Sequence, residues 1–203
     1  RMVAWALAGG RRAWFASFGL HKTATQLETA RVLVARTARP FLIVAPLGVR
    51  REFLSEAQTR FQGDFAIDIR FIRRSAEIDT GSDGQPLPRV YLTNYESVRD
   101  GKIDPALFVG VSLDEAACLR GFGGTKTFRE FMAILAGDDR RRDGGAFSGS
   151  AGIPYRFVAT ATPSPNDYIE LLAYAGFLDV MDIGQAKTRF FKRNSEKADA
   201  LTL

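Results

Sequence analysis

Residues 13–23, AWFASFGLHKT, decide how the rest of the chain is read. Ala13 to Ser17 form an apolar run of the kind that makes a buried strand. Phe18 to His21 are a tight loop around Gly19, and Lys22-Thr23 open the helical pattern KTATQLETARVLVART (22–37). Ala24, Leu27, Ala30 and Val34 recur there at three- and four-residue spacing, which marks one apolar helix face. Strand, tight loop, Lys-Thr and helix is the setting a phosphate loop requires. In such a loop the backbone N–H groups of Gly19, Leu20, His21, Lys22 and Thr23 face phosphate oxygens. Lys22 reaches the β- and γ-phosphates, and the Thr23 hydroxyl holds Mg²⁺. A Lys-Thr helix start arising by chance is the plainer reading, and on this motif alone the two weigh about equally.

Outward from this stretch, five more β-type runs follow: FLIVAP (41–46), AIDIRFI (66–72), RVYLTN (89–94), GVSLDEA (110–116) and RFVATA (156–161). Several are continuous and β-branched, as in strands covered on both faces of a parallel sheet. Helical stretches lie between them: GVRREFLSEAQTRF (48–61), TKTFREFMAILAG (125–137) and PNDYIELLAYAGF (165–177). The alternation implies an α/β fold, a doubly wound and mostly parallel sheet with helices on both faces. Ligand sites in such sheets lie at the carboxyl ends of the strands. Two polar, Gly-containing stretches, 75–88 and 137–152, read as mobile loops.

Composition narrows the class. The chain has 203 residues, 46% apolar and 25% charged, enough for a globular core. The single cysteine, Cys118, excludes an internal disulfide framework and a multi-cysteine metal site. No run reaches the ~18 apolar residues of a membrane span. A net charge of +5 allows a polyanionic partner without requiring one. Arginine groups at 11–12, 50–51, 73–74 and 140–142 read first as solvated surface. The first and last residues suggest a piece of a longer protein.

Two further motifs carry chemistry. VSLDEA (111–116) brings Asp114 and Glu115 to a strand end. In a nucleotide site Asp114 holds Mg²⁺ through water and Glu115 polarises the attacking water as general base. A helix-capping Asp followed by a first-turn Glu is the plainer alternative. The order of motifs, downstream of a Lys-Thr loop, favours the catalytic reading. VATATPSPND (158–167) places Thr160 and Thr162 around an alanine at another strand end. Small hydroxyls there can couple the acidic pair to a bound strand or a partner lobe.

Taken in order, these stretches resemble the first RecA-like lobe of superfamily 2 helicases and translocases, in the Swi/Snf-like branch. FASFGLHKTATQLETA resembles motif I, a Gly-Leu-Gly-Lys-Thr loop opening a Gln-containing helix. LIVAPLGVRREFLSEAQTRF resembles motif Ia and LTNYESVR (92–99) motif Ib. LDEAACLRGFGGTKTFREF (113–131) resembles motif II and its lysine-bearing loop, and RFVATATPSPNDYIELLAYAGFL (156–178) resembles motif III. The set spans about residues 11–190 and looks especially like bacterial and phage helicases that accompany DNA methylases.

The resemblance implies one ATP-binding lobe over residues 1–203, with ATP and Mg²⁺ as cofactors and Lys22, Asp114 and Glu115 as catalytic residues. It implies a cytoplasmic, DNA-associated protein with DNA and a second RecA-like lobe as partners, and a DNA methylase beside them. Motifs Ia and Ib would face one DNA strand through Pro46, Leu47, Arg50, Thr93 and Asn94, joined by Arg120 and Lys126 from the loop after motif II. Thr160 and Thr162 would couple nucleotide state to DNA.

Two positions depart from the pattern. His21, the only histidine, stands where the loop has a glycine, and Ala117 stands where the acidic box ends in His. A glycine there frees the backbone for φ > 0 and for close approach to phosphate. The expectation is therefore a weakened or silent nucleotide site, and an isolated lobe that hydrolyses ATP slowly. The rival is a lobe that keeps the fold and DNA surface as a non-catalytic scaffold. A small-molecule P-loop kinase conflicts with Thr160-Ala161-Thr162 and LTNYES.

Overall fold

The computed structural model describes residues 1–119, 129, 131–137, 152–164, 168–181 and 183–191. All six expected strands are present: β1 (Arg11–Phe15), β2 (Phe41–Ala45), β3 (Ile69–Phe71), β4 (Val90–Asn94), β5 (Gly110–Asp114) and β6 (Tyr155–Thr160). They form one parallel sheet in the order β1-β6-β5-β2-β4-β3. Parallel neighbours cannot be joined by tight turns, so the chain crosses back over the sheet between strands. β2 and β5 are buried along their whole length; β2 reads as an unbroken apolar run, while β5 also carries the buried polar residues Ser112 and Asp114.

Helices α1 (Met2–Gly9), α2 (Lys22–Thr37) and α3 (Arg50–Arg60) belong to one face. Ala6, Leu27, Ala30, Leu33, Phe53 and Ala57 pack there on Trp14, Phe41, Ile43 and Phe157. Trp14 stacks on Phe157 at 5.1 Å between ring centroids, and Phe157 lies 6.2 Å from Phe41. The other face carries α4 (Tyr95–Arg99) and α5 (Leu171–Phe177), through Val98, Ala173, Tyr174 and Phe177. The alternate strand residues Leu42, Val44, Val111, Leu113 and Val158 meet them. The last helix among the described residues, α6 (Ile183–Phe190), packs on α5.

Some expected elements are shaped differently. In the expected 125–137 helix, Arg129 and Phe131 are α-helical, and Met132–Ala136 form a π-helical turn ending at Gly137 in the left-handed region. Within the expected 165–177 helix, the described residues run from a 3-10 turn, Tyr168–Glu170, into α5. The 75–88 stretch carries its own hydrogen bonds. Thr80 bridges Pro86, Gly81 N–H donates to the Gln85 carbonyl at 2.9 Å, and Leu87 N–H donates to the Asp79 carbonyl at 2.8 Å. Asp79 pairs with Arg70 and Arg89, and its backbone N–H donates to the Tyr91 hydroxyl at 3.1 Å. The second expected loop, 137–152, lies outside the described residues apart from its two ends.

Strand register sets the position of every motif. Phe15 pairs with Thr160, Ala159 with Asp114, Leu113 with Val44, and Ala45 with Asn94. The phosphate-loop strand, the motif III strand, the acidic strand and the motif Ia and Ib strands therefore end side by side on one rim of the sheet.

Candidate functional site

The loop after β1 turns through two left-handed residues, Gly19 at φ 78° and His21 at φ 54°. A Cβ added at Gly19 meets nothing within 4 Å, so that side of the loop is open. His21 is the N-cap of α2 and no side chain caps the helix. The first intrahelical bond runs from Thr25 N–H to the His21 carbonyl at 3.0 Å. The N–H groups ahead of it are thus left to a ligand, at the positive end of a helix 16 residues long. Lys22 curls over the loop. Its Nζ donates to the Ala16 carbonyl at 3.0 Å and the Ser17 carbonyl at 3.3 Å, and lies 5.1 Å from the centre of the Phe18 ring.

Left-handed backbone in a non-glycine residue is costly and needs a cause. Among the described residues four show it: His21, Ala38, Glu115 and Asp179. Ala38 and Asp179 close α2 and α5, where such geometry is ordinary. His21 and Glu115 have no such excuse, and both fall in the predicted site. Glu115, at φ 47°, turns the chain sharply off β5. Its Oε2 accepts a hydrogen bond from the Thr160 hydroxyl at 3.4 Å. Thr160 Oγ1 in turn accepts from Thr162 N–H at 3.1 Å, so the three residues form one chain of contacts.

Asp114 is 6% exposed at the end of β5. Burial pushes its carboxyl up to about 6, with Glu115 adding to the rise. A hydrogen bond from Gln26 and the nearby charge of Lys22 oppose it. Gln26 Nε2 donates to Asp114 Oδ1 at 2.6 Å, and the Tyr95 hydroxyl donates to the Asp114 carbonyl. Thr23 Oγ1 donates to Glu52 Oε1 at 3.3 Å, and Arg60 contacts His21 Nδ1 at 3.3 Å. Lys22, Thr23, Asp114, Glu115, Thr160 and Thr162 are thus gathered on one rim. Gln26, Glu52 and Tyr95 join them without having been singled out. Gln26 has a local signal, since it lies one turn beyond Lys22 on the same helix. Glu52 and Tyr95 come from other elements and have none.

The donor set fits a magnesium nucleotide. It offers uncapped N–H groups and a lysine for phosphate oxygens, and a threonine hydroxyl and buried carboxylate for a hard cation. The polynucleotide candidates are less uniform. Leu47 is 52% exposed at the end of β2, and Pro46 beside it is half-buried. The Arg50 guanidinium lies 4.8 Å over the Phe71 ring. Thr93 does not reach the surface: it is 1% exposed and its hydroxyl donates to the Ile72 carbonyl at 2.8 Å. Asn94 Oδ1 accepts from Ser97 N–H at 3.3 Å and so serves as the cap of α4. Arg120 and Lys126 lie outside the described residues, as does the side chain of Ala117.

No protein-family model and no curated protein matches this chain. Solved structures do. The Sulfolobus solfataricus SWI2/SNF2 ATPase core in complex with dsDNA superposes with a TM-score of 0.65 at 18% identity, over 93% of this chain. The UvsW helicase from bacteriophage T4 superposes with a TM-score of 0.54 at 13% identity, over 85% of this chain. The matches span 37% and 56% of those two chains. At such identities the likeness establishes the fold alone, a RecA-like α/β domain built on a parallel sheet. No helix among the described residues is long and apolar enough to cross a membrane.

Proposed function

We propose that this chain is the first motor lobe of a DNA-dependent ATPase of the Swi/Snf-like kind, binding ATP and Mg²⁺ at the loop Gly19 to Thr23. The observation that carries this reading is the convergence of loop and acidic pair. β6, bearing Thr160, lies between β1 and β5, and Gln26 joins the helix behind the loop directly to Asp114. All strand ends of a parallel sheet share one rim, so the weight falls on the direct bond from Gln26 to Asp114 and on the acidic strand lying one strand away from the loop strand.

In this reading the α2 N–H groups and Lys22 hold phosphate oxygens. Thr23 and Asp114 are the residues that would hold Mg²⁺, which would supply positive charge against the negative charge developing on the phosphates. Glu115, exposed enough to meet water and held by Thr160, polarises the attacking water. A second lobe completes the nucleotide site and the DNA cleft. DNA lies along the ends of β2 and β4, near Leu47 and Arg50, gripped through its phosphates, so affinity falls as salt rises.

A non-catalytic scaffold is the second reading. Two observations favour it: a histidine side chain sits at the left-handed loop position, and Lys22 is folded back on loop carbonyls. A fluorescent ATP analogue with Mg²⁺ separates the two. Binding by the wild type that is lost in Lys22→Ala supports the motor lobe. Binding gained only in His21→Gly supports the scaffold. Binding unaffected by Lys22→Ala sinks the assignment of the loop.

A further inference from the structure

Gln26 is fully buried on the face of α2 that meets the sheet, among Leu27, Ala30, Ile43 and Phe157. A long amide in such surroundings needs both ends satisfied. Nε2 donates to Asp114 Oδ1 at 2.6 Å, and Oε1 accepts from Ser112 Oγ at 2.6 Å. Ser112 and Asp114 are alternate residues of β5 and share a face. The opposite amide orientation would set Oε1 against the carboxylate, so an ionised Asp114 fixes which end is which.

Satisfying Ser112 alone would not require a residue of this length reaching a carboxylate. The bond to Oδ1 restrains rotation of the Asp114 carboxyl group about its last torsion. Among the described residues the side-chain bond to Asp114 is made at Oδ1, which leaves Oδ2 as the oxygen for a ligand. The same amide ties the helix that begins with Lys22 and Thr23 to the strand that ends in Asp114. It therefore sets the spacing between the phosphate loop and the acidic residue as well as the carboxylate's orientation.

We propose that Gln26 is a positioning residue, which holds Asp114 Oδ1 so that Oδ2 faces a divalent cation beside the loop. Ser112 orients the amide for that task. The role rests on the nucleotide reading given above. Partners of metal-holding carboxylates commonly matter about ten- to a hundredfold for metal affinity.

The test is the Mg²⁺-dependent tightening of binding for a fluorescent ATP analogue, measured in wild type, Gln26→Met, Ser112→Ala and Asp114→Asn. Circular dichroism checks the fold of each, and Ser112→Ala, which removes a single hydroxyl, keeps the test open should Gln26→Met fail to fold. The expected result is a Mg²⁺ effect reduced about tenfold or more in Gln26→Met, less in Ser112→Ala, with Mg²⁺-free affinity unchanged in both. Full Mg²⁺ tightening in both variants overturns the role of Gln26 and leaves the nucleotide reading standing. An equal loss with and without Mg²⁺ also overturns it, since that marks a merely structural brace. No Mg²⁺ tightening in wild type or in His21→Gly overturns both.

Discussion

The Thr23 hydroxyl donates a hydrogen bond to Glu52 Oε1 across 3.3 Å, so the side chain assigned to Mg²⁺ is held by a carboxylate from the neighbouring helix. Glu52 stands at the start of α3 and contributes to the raised carboxyl of Asp114. Its negative charge opposes the arrival of phosphate. Glu52→Gln is expected to tighten nucleotide binding modestly, by about two- to fivefold at low salt, because the residue is exposed. The gain should shrink as ionic strength rises. Titration of the fluorescent analogue at two salt concentrations checks this, and a loss of affinity in Glu52→Gln would assign Glu52 to the cation instead.

Asp114 predicts a pH dependence of stability. Its folded carboxyl, at about 6, lies above the ordinary value of 3.8, so the folded state binds the proton more tightly than the unfolded state. The stability this contributes is fully present below the unfolded value. It is lost as pH rises through the folded one. At neutral pH the ionised, buried carboxylate therefore costs about 3 kcal/mol. Asp114→Asn is expected to stabilise the chain at pH 7.5, with the difference shrinking toward pH 4. Urea unfolding at several pH values measures it. A pH-independent difference would remove the carboxyl from the account. If Asp114 has the proposed role, such a substitution exchanges activity for stability.

The sheet was legible most clearly where a strand is buried on both faces and needs an unbroken apolar run. Phe41 to Ala45 is the plainest case. Other elements were not. Met2–Gly9 is apolar all round and shows no helical period, and Tyr95–Arg99 is five residues long. The places of Lys22, Asp114 and Glu115 at or beyond the ends of β1 and β5 were readable from residue type and strand pattern. The Gln26–Asp114 brace spans 88 residues and the Thr23–Glu52 contact 29, and no local spacing encodes either. Thr93 shows the opposite failure. A threonine at a strand end suggests exposure, yet the loop after β3 covers it and accepts its hydroxyl at Ile72.

The Asp79 cluster governs the 75–88 segment. Arg70 and Arg89 hold the Asp79 carboxyl below the usual carboxylate range, Arg70 most strongly. Asp79→Ala removes both ion pairs while leaving Ile78 buried and the sheet untouched. Faster proteolytic nicking within 80–86 is expected, with the unfolding midpoint little changed. Unaltered cleavage would place the order of this segment in its backbone hydrogen bonds alone.

His21 carries the last prediction. At φ 54° and ψ 39° it occupies a conformation that costs an ordinary L-residue about 1–2 kcal/mol. Glycine removes that strain but adds about 0.5–1 kcal/mol of unfolded-state entropy. The exposed contact between His21 and Arg60 adds little. His21→Gly should therefore match or slightly exceed wild-type stability. His21→Val, whose branched Cβ resists left-handed backbone, should lose about 1 kcal/mol or more. Urea midpoints of the three proteins decide it. A clearly less stable His21→Gly would mean that the imidazole contributes packing or hydrogen bonding beyond its single contact with Arg60, and the loop would then be built around the histidine rather than strained by it.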